Sequence, residues 1–294
     1  MFSIPPRHRS RHLIRFVNRD THPPLQWQLL LREMRMSPPF QKGYCSSPPA
    51  QHRNMKVLTT RGAAAVVCIL IVVLSTGCTT DQQQAPAQSD GTPDESSYAT
   101  VLDAGTLGAR LDEYPVATLS AAEESDLLYM QEEEKLARDV YGVFSDTWNM
   151  QVFKNIGKAE QTHMDSVTVL IKRYGLENPS ASATTGGVFA YPELQELYDD
   201  LVKRGARSPE DALRAAILVE ETDIVDLRDA MSRTENGGDI RYVYDNLIRG
   251  GSENHLRAFV RNLEQQGESY APVVLTQADY DRIVSGSVRP GGFT

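Results

Sequence analysis

Residues 158–167 read KAEQTHMDSV, and they set Glu160 and His163 three positions apart inside a helical pattern that runs from about 151 to 174. Phe153, Ile156, Val167, Leu170 and Tyr174 share one stripe with them. At about 100° per residue the two polar side chains are about 60° apart, on the face that Ile156 and Val167 commit to the interior. A carboxylate buried alone costs several kcal/mol unless it is protonated or paired. Gly175 follows as the expected C-cap.

Three further stretches repeat the conflict. In LSAAEESDLLYMQEEEKLARDVYGVF, residues 119–144, Ser120 and Glu123 form a capping box, and Leu127, Met130, Glu134, Ala137, Tyr141 and Phe144 fall in line. A third helix begins at SPED, with Ser208 as N-cap and Pro209 in the first turn; its stripe is Leu213, Ile217, Glu220, Ile224, Leu227 and Met231. The fourth follows NGGD and ends before Gly267, aligning Tyr244, Leu247, Gly251, His255, Ala258 and Asn262 or Leu263. Each stripe therefore carries a polar residue with apolar neighbours a turn above and below.

The connections between the first and second helices and between the third and fourth are short, about five to eight residues, which predicts two antiparallel hairpins. Residues 175–208 are too many for a turn and contain the short helical stretch YPELQELYDDLVKRG; they are expected to cross over along the bundle. The fold class expected is all-α: a ferritin-like four-helix bundle over 115–285 with a long crossover between helices 2 and 3. The tail YAPVVLTQADYDRIV is read as an extended segment and one short helix, with 286–294 left over.

A divalent cation compensates all the buried polar residues together. Glutamate oxygens and neutral imidazole nitrogens suit Fe, Mn or Zn, and a helical Glu-x-x-His lets both side chains converge on one ion. The expected metal ligands are Glu134, Glu160, His163, Glu220 and His255. Glu132, Glu133 and Glu221 are read as solvated, Met130, Met164 and Met231 as core filler, and Tyr141 as a core tyrosine with its hydroxyl satisfied, a hydrogen-bond partner of a ligand, or an electron carrier.

At these residues the chain resembles the ferritin-like superfamily, and more closely its DUF2202 branch. EKLARDVY, residues 134–141, looks like the first metal-helix motif of rubrerythrin-type proteins, with Glu134, Ala137 and Tyr141 in its places. EQTH corresponds to the second-helix motif (Glu160, His163), VEETDIVDL to the third (Glu220), and SENHLRAF to the fourth (His255, Phe259). The resemblance covers about 120–266. It implies a carboxylate-bridged centre of one or two ions, iron first with manganese or zinc as alternatives.

One position departs from the family pattern. A full di-iron site has Glu three residues before the fourth-helix His, and Ser252 stands there. Three carboxylates and two imidazoles neutralise two divalent ions less well, so a single metal or two unequal sites are both open. Asp223, one turn after Glu220, or Glu253, displaced by a break at Gly250 and Gly251, could fill the gap.

The ends of the chain differ in charge. Residues 1–61 hold eleven Lys and Arg against two Asp and Glu, a net +9, while the remainder is −18; the formal −9 describes neither part. Residues 1–54 show no sustained period and are expected to be a disordered leader, or to precede a true start at Met55. MKVLTTRG, the apolar run AAAVVCILIVVL and LSTGC, within 55–78, have the build of an export signal that resembles the lipobox of bacterial lipoproteins, with Cys78 the residue that takes the lipid. Twelve apolar residues fall short of the about 20 needed to span a bilayer. Residues 79–114 are expected as a flexible linker.

The chain is thus expected at the cell envelope, lipid-anchored on the periplasmic or extracellular face of a bacterial membrane. The acidic body excludes a nucleic-acid partner, and the lack of cysteine after Cys78 excludes thiolate metal sites there. Three readings are open: an iron or manganese oxidoreductase acting with dioxygen or peroxide, a non-catalytic bundle for metal storage, sensing or scaffolding, or a metal-free bundle whose inward polar residues bond to one another.

Overall fold

The computed structural model describes residues 102–178 and 185–286, all within one compact unit. The leader, the export signal with Cys78, the linker up to 101 and the tail from 287 lie outside the described residues. Every regular element among the described residues is helical, and none is long and apolar enough to cross a membrane.

The helices are α1 Ala104–Leu111, α2 Ala121–Trp148, α3 Gln151–Arg173, α4 Pro192–Gly205, α5 Pro209–Arg233, α6 Gly238–Asn246, α7 Glu253–Gln265 and α8 Gln277–Ser285. Local chemistry fixes their ends. Ser120 Oγ accepts from the Glu123 amide while the Glu123 carboxylate accepts from the Ser120 amide, which closes the capping box of α2. Ser208 caps α5 with Pro209 in its first turn, and Gly175 takes φ of 66° just past α3. Asn149 and Met150 alone join α2 to α3, with Asn149 left-handed at φ 50°. That connection is shorter than expected because an αL residue lets the chain reverse at once.

Four rods build the core: α2, α3, α5, and the rod formed by α6, a π-helical turn Leu247–Ser252 and α7. The α2 and α3 helices pack along each other most extensively, and α5 packs on both α7 and α2. The fourth rod is interrupted at the glycine pair where the sequence allowed a break. Its π turn falls on Arg249, Gly250 and Gly251, where two glycines leave the α-helical register weakly held.

The interior divides into two apolar clusters. One contains Ala137, Tyr141, Phe144, Phe153, Ile156, Ile217 and Phe259; the other contains Leu127, Met130, Val167, Leu170, Leu227, Tyr244 and Leu247. On three rods the chain passes from one cluster to the other through the polar residues singled out above: Glu134 lies between Met130 and Ala137, Glu160 and His163 between Ile156 and Val167, and His255 between Leu247 and Phe259. On α5 the first cluster continues past Glu220 to Ile224, and the second begins at Leu227.

Two further expectations are corrected. Residues 102–114 are not all linker: α1 buries Leu107 and Leu111 against α3, with Asp103 as its N-cap, because an eight-residue helix can seal the open end of the second cluster. Glu132, Glu133 and Glu221 are buried, not solvated. Glu132 accepts the Ala190 amide at 2.7 Å and so ties down the crossover, and Glu221 accepts the Tyr270 hydroxyl at 2.8 Å and the Val273 amide at 3.0 Å from the C-terminal segment. Chain segments laid over α2 and α5 cover faces that helical periodicity alone assigns to water.

Candidate metal centre

The five expected ligands converge. Glu134, Glu160, His163, Glu220 and His255 are all buried, and the histidines are fully so. Glu160 from α3 is central: its Oε2 lies 2.8 Å from His163 Nδ1 and its Oε1 lies 2.8 Å from His255 Nδ1. Glu134 from α2 flanks His163, with Oε2 3.2 Å from the same Nδ1, and Glu220 from α5 flanks His255 at 3.6 Å. The two imidazoles stack, with centroids 5.3 Å apart and planes 17° apart. One ligand atom from each of Glu160, His163 and His255 lies within 4.8 Å of the others.

The orientation of these atoms is informative. Glu160 Oε1 and His255 Nδ1 are close, yet neither makes a hydrogen bond, and Glu134 Oε1 and the Nε2 atoms of both histidines also lack partners. Buried polar atoms are paired in the great majority of cases. These unpartnered atoms leave donor positions open to a cation, although His163 Nδ1 is itself paired with Glu134 Oε2.

Neighbours fix these side chains. Tyr141 donates its hydroxyl to Glu220 Oε1 at 2.7 Å from within the first apolar cluster, so its side chain is satisfied as expected. The edge of the His163 ring rests on Gly251: a Cβ there would sit 2.1 Å from Cε1. The π turn thus brings bare backbone against the His163 imidazole, which no helix with a side chain at 251 would permit.

Without a metal, protons must supply the positive charge. Burial pushes Glu134 up to about 7, only partly opposed by His163. Burial and the Glu160 charge push Glu220 up to about 7 as well. Burial would raise Glu160 too, but His255 and His163 overcome it and hold this carboxylate well below the usual range. Burial would lower both histidines; Glu160 with Glu220 drives His255 up to about 10, and Glu160 with Glu134 drives His163 well above its ordinary value.

The gap before His255 resolves in one direction. Glu253 is turned away from the cluster and pairs with Arg228 at 3.2 Å and with Arg282 at 3.3 Å. Asp223 is buried on the side of Glu220, accepts from Ser252, and feels the charges of Glu134, Glu220 and Glu160. Its signal in the sequence was the i+3 spacing from Glu220. Met130 is core, Met231 packs half-buried on the second cluster, and Met164 is half-buried with its sulfur facing Arg138.

Comparison with known proteins gives a consistent relationship. Residues 123–287 match the model of the family described as uncharacterized protein domain DUF2202. The uncharacterized protein MJ0754 of Methanocaldococcus jannaschii is 43% identical over 177 residues, which is 60% of this chain and 94% of that protein. The crystal structure of hypothetical protein MJ0754 aligns with a TM-score of 0.58 at 42% identity, over 60% of this chain and 98% of that one.

Proposed function

The chain belongs to the DUF2202 family, and from the polar layer that its helices build we propose that it is a ferritin-like four-helix metal protein, held at the cell envelope by a lipid on Cys78. Its ligands are Glu134, Glu160, His163, Glu220 and His255, and the donor set favours iron, with manganese or zinc as alternatives. The observation that carries the reading is Glu160, which places one oxygen 2.8 Å from the Nδ1 of each histidine while its Oε1 and His255 Nδ1 have no hydrogen-bond partner.

When bound, iron or manganese supplies electron transfer to dioxygen or peroxide. The residues around it do the rest. His163 and His255 would hold the ion as neutral imidazoles, and Glu134 and Glu220, whose carboxyls keep their protons up to about pH 7, would have to give them up to bind it. Tyr141 holds Glu220 in place by its hydroxyl, and the apolar clusters above and below exclude water.

The test is metal analysis of the purified chain, followed by addition of peroxide to the reduced, iron-loaded form. Bound metal and a new absorption on oxidation are expected. Tight binding without a spectral change supports storage, sensing or scaffolding in place of turnover. Absence of any bound ion overturns the reading. Incorporation of labelled lipid, lost in Cys78→Ser, tests the anchor.

A further inference from the structure

On the fourth rod the position three residues before His255 carries no carboxylate, and the nearest acid, Glu253, is taken by two arginines. Across from it, Asp223 follows Glu220 by three residues on α5 and therefore shares its face. Ser252 Oγ and Asp223 Oδ2 are 2.5 Å apart, and the serine oxygen is also 3.2 Å from the Leu247 carbonyl. A hydroxyl has one proton to give, and the closer acceptor is the carboxylate. Asp223 Oδ1 is left buried without a partner.

We propose that Asp223 is a sixth ligand of the centre, supplied by α5 in place of the carboxylate missing from the fourth rod, and that Ser252 is the positioning residue that orients it. The layer then holds four carboxylates and two imidazoles. Four carboxylates neutralise two divalent ions, whereas three leave a positive charge buried between apolar clusters, where it is costly. Glu160, with an oxygen toward each histidine, would serve both ions. A serine in the fourth-rod position thereby moves one ligand to the neighbouring helix and leaves the donor count unchanged.

This inference rests on the metal-binding reading above, and its test separates the two. Mn2+ is titrated into the metal-free full chain, with the ions per chain counted by equilibrium dialysis and their state read by electron paramagnetic resonance. Wild type is expected to bind two ions with an exchange-coupled signal. Asp223→Asn is expected to hold one, with the six-line spectrum of isolated Mn2+. Ser252→Ala should weaken the second ion about tenfold, as loss of an outer hydrogen bond to a ligand does; unchanged affinity removes Ser252 from its role. Two coupled ions in Asp223→Asn, or one ion in wild type, overturn the sixth ligand and leave the metal-binding reading intact. A wild type that takes up no ion overturns the reading beneath it. Should Asp223→Asn not fold, the wild-type count and spectrum still decide.

Discussion

Single residues do unusual work where the backbone meets the ligands. Gly251 is the sharpest case, because its missing side chain is the space that the His163 ring occupies. Gly251→Ala introduces a carbon at 2.1 Å from a ring atom, far inside contact distance, and the ring must move or the π turn must rearrange. The expected result is a loss of about 1–3 kcal/mol in unfolding free energy, as overpacking costs elsewhere, together with weakened metal binding. Chemical denaturation read alongside Mn2+ affinity checks it; an alanine variant with both properties of wild type would show that the contact is unimportant. The sequence displayed Gly250 and Gly251 as a place where a helix could break. It did not display which ring lay against them, since that partner is on another helix.

At the level of elements, buried acids unrelated to the polar layer hold chain segments in place. Glu221 is next to Glu220 in sequence but points to the opposite side of α5, where it receives Tyr270 and Val273. Its own burial raises its pKa, and the amide and hydroxyl donors pull the other way. Those bonds lead the chain into α8, which packs on α7 and buries Tyr280 and Ile283. Glu221→Ala is expected to release residues 270–285 from α5 while α2, α3 and α7 stay folded. Limited proteolysis should then cut within 268–276, with the helical circular dichroism nearly unchanged; resistance equal to wild type would count against this tie. Periodicity could place Glu221 on a polar face but could not say that a later segment would cover that face.

For the whole molecule, the polar layer couples stability to pH and, on the proposed function, to metal. The folded pKa values of Glu134 and Glu220 are raised from 4.5 to about 7, so the stabilisation from their protons is full below about 4.5 and is lost as pH rises through 7. His255, raised from 6.5 to about 10, contributes fully below 6.5 and loses its contribution as pH rises toward 10, and raised His163 acts in the same sense. Depressed Glu160 opposes this only in acid, where its contribution is lost as pH falls below the ordinary carboxylate range. The metal-free chain should therefore melt at progressively lower temperature from pH 5 to pH 9. Saturating Mn2+ should raise the melting temperature more at pH 9 than at pH 5, because the ion replaces protons. Calorimetry at the two pH values, with and without the ion, tests this; a metal-free melting temperature that climbs over the same range contradicts it.

The sequence by itself determined the all-helical class, the caps at Ser120 and Ser208, and the inward turn of Glu134, Glu160, His163, Glu220 and His255. Those are consequences of spacing along one helix, which a linear pattern records. Only the tertiary structure decided which acid stands beside the fourth rod, why Glu253 faces two arginines, and which glutamates outside the layer are covered by other parts of the chain. Each of these depends on the rotation of one rod relative to another, and a single π turn changes that rotation without altering the apolar pattern from which it would have to be read.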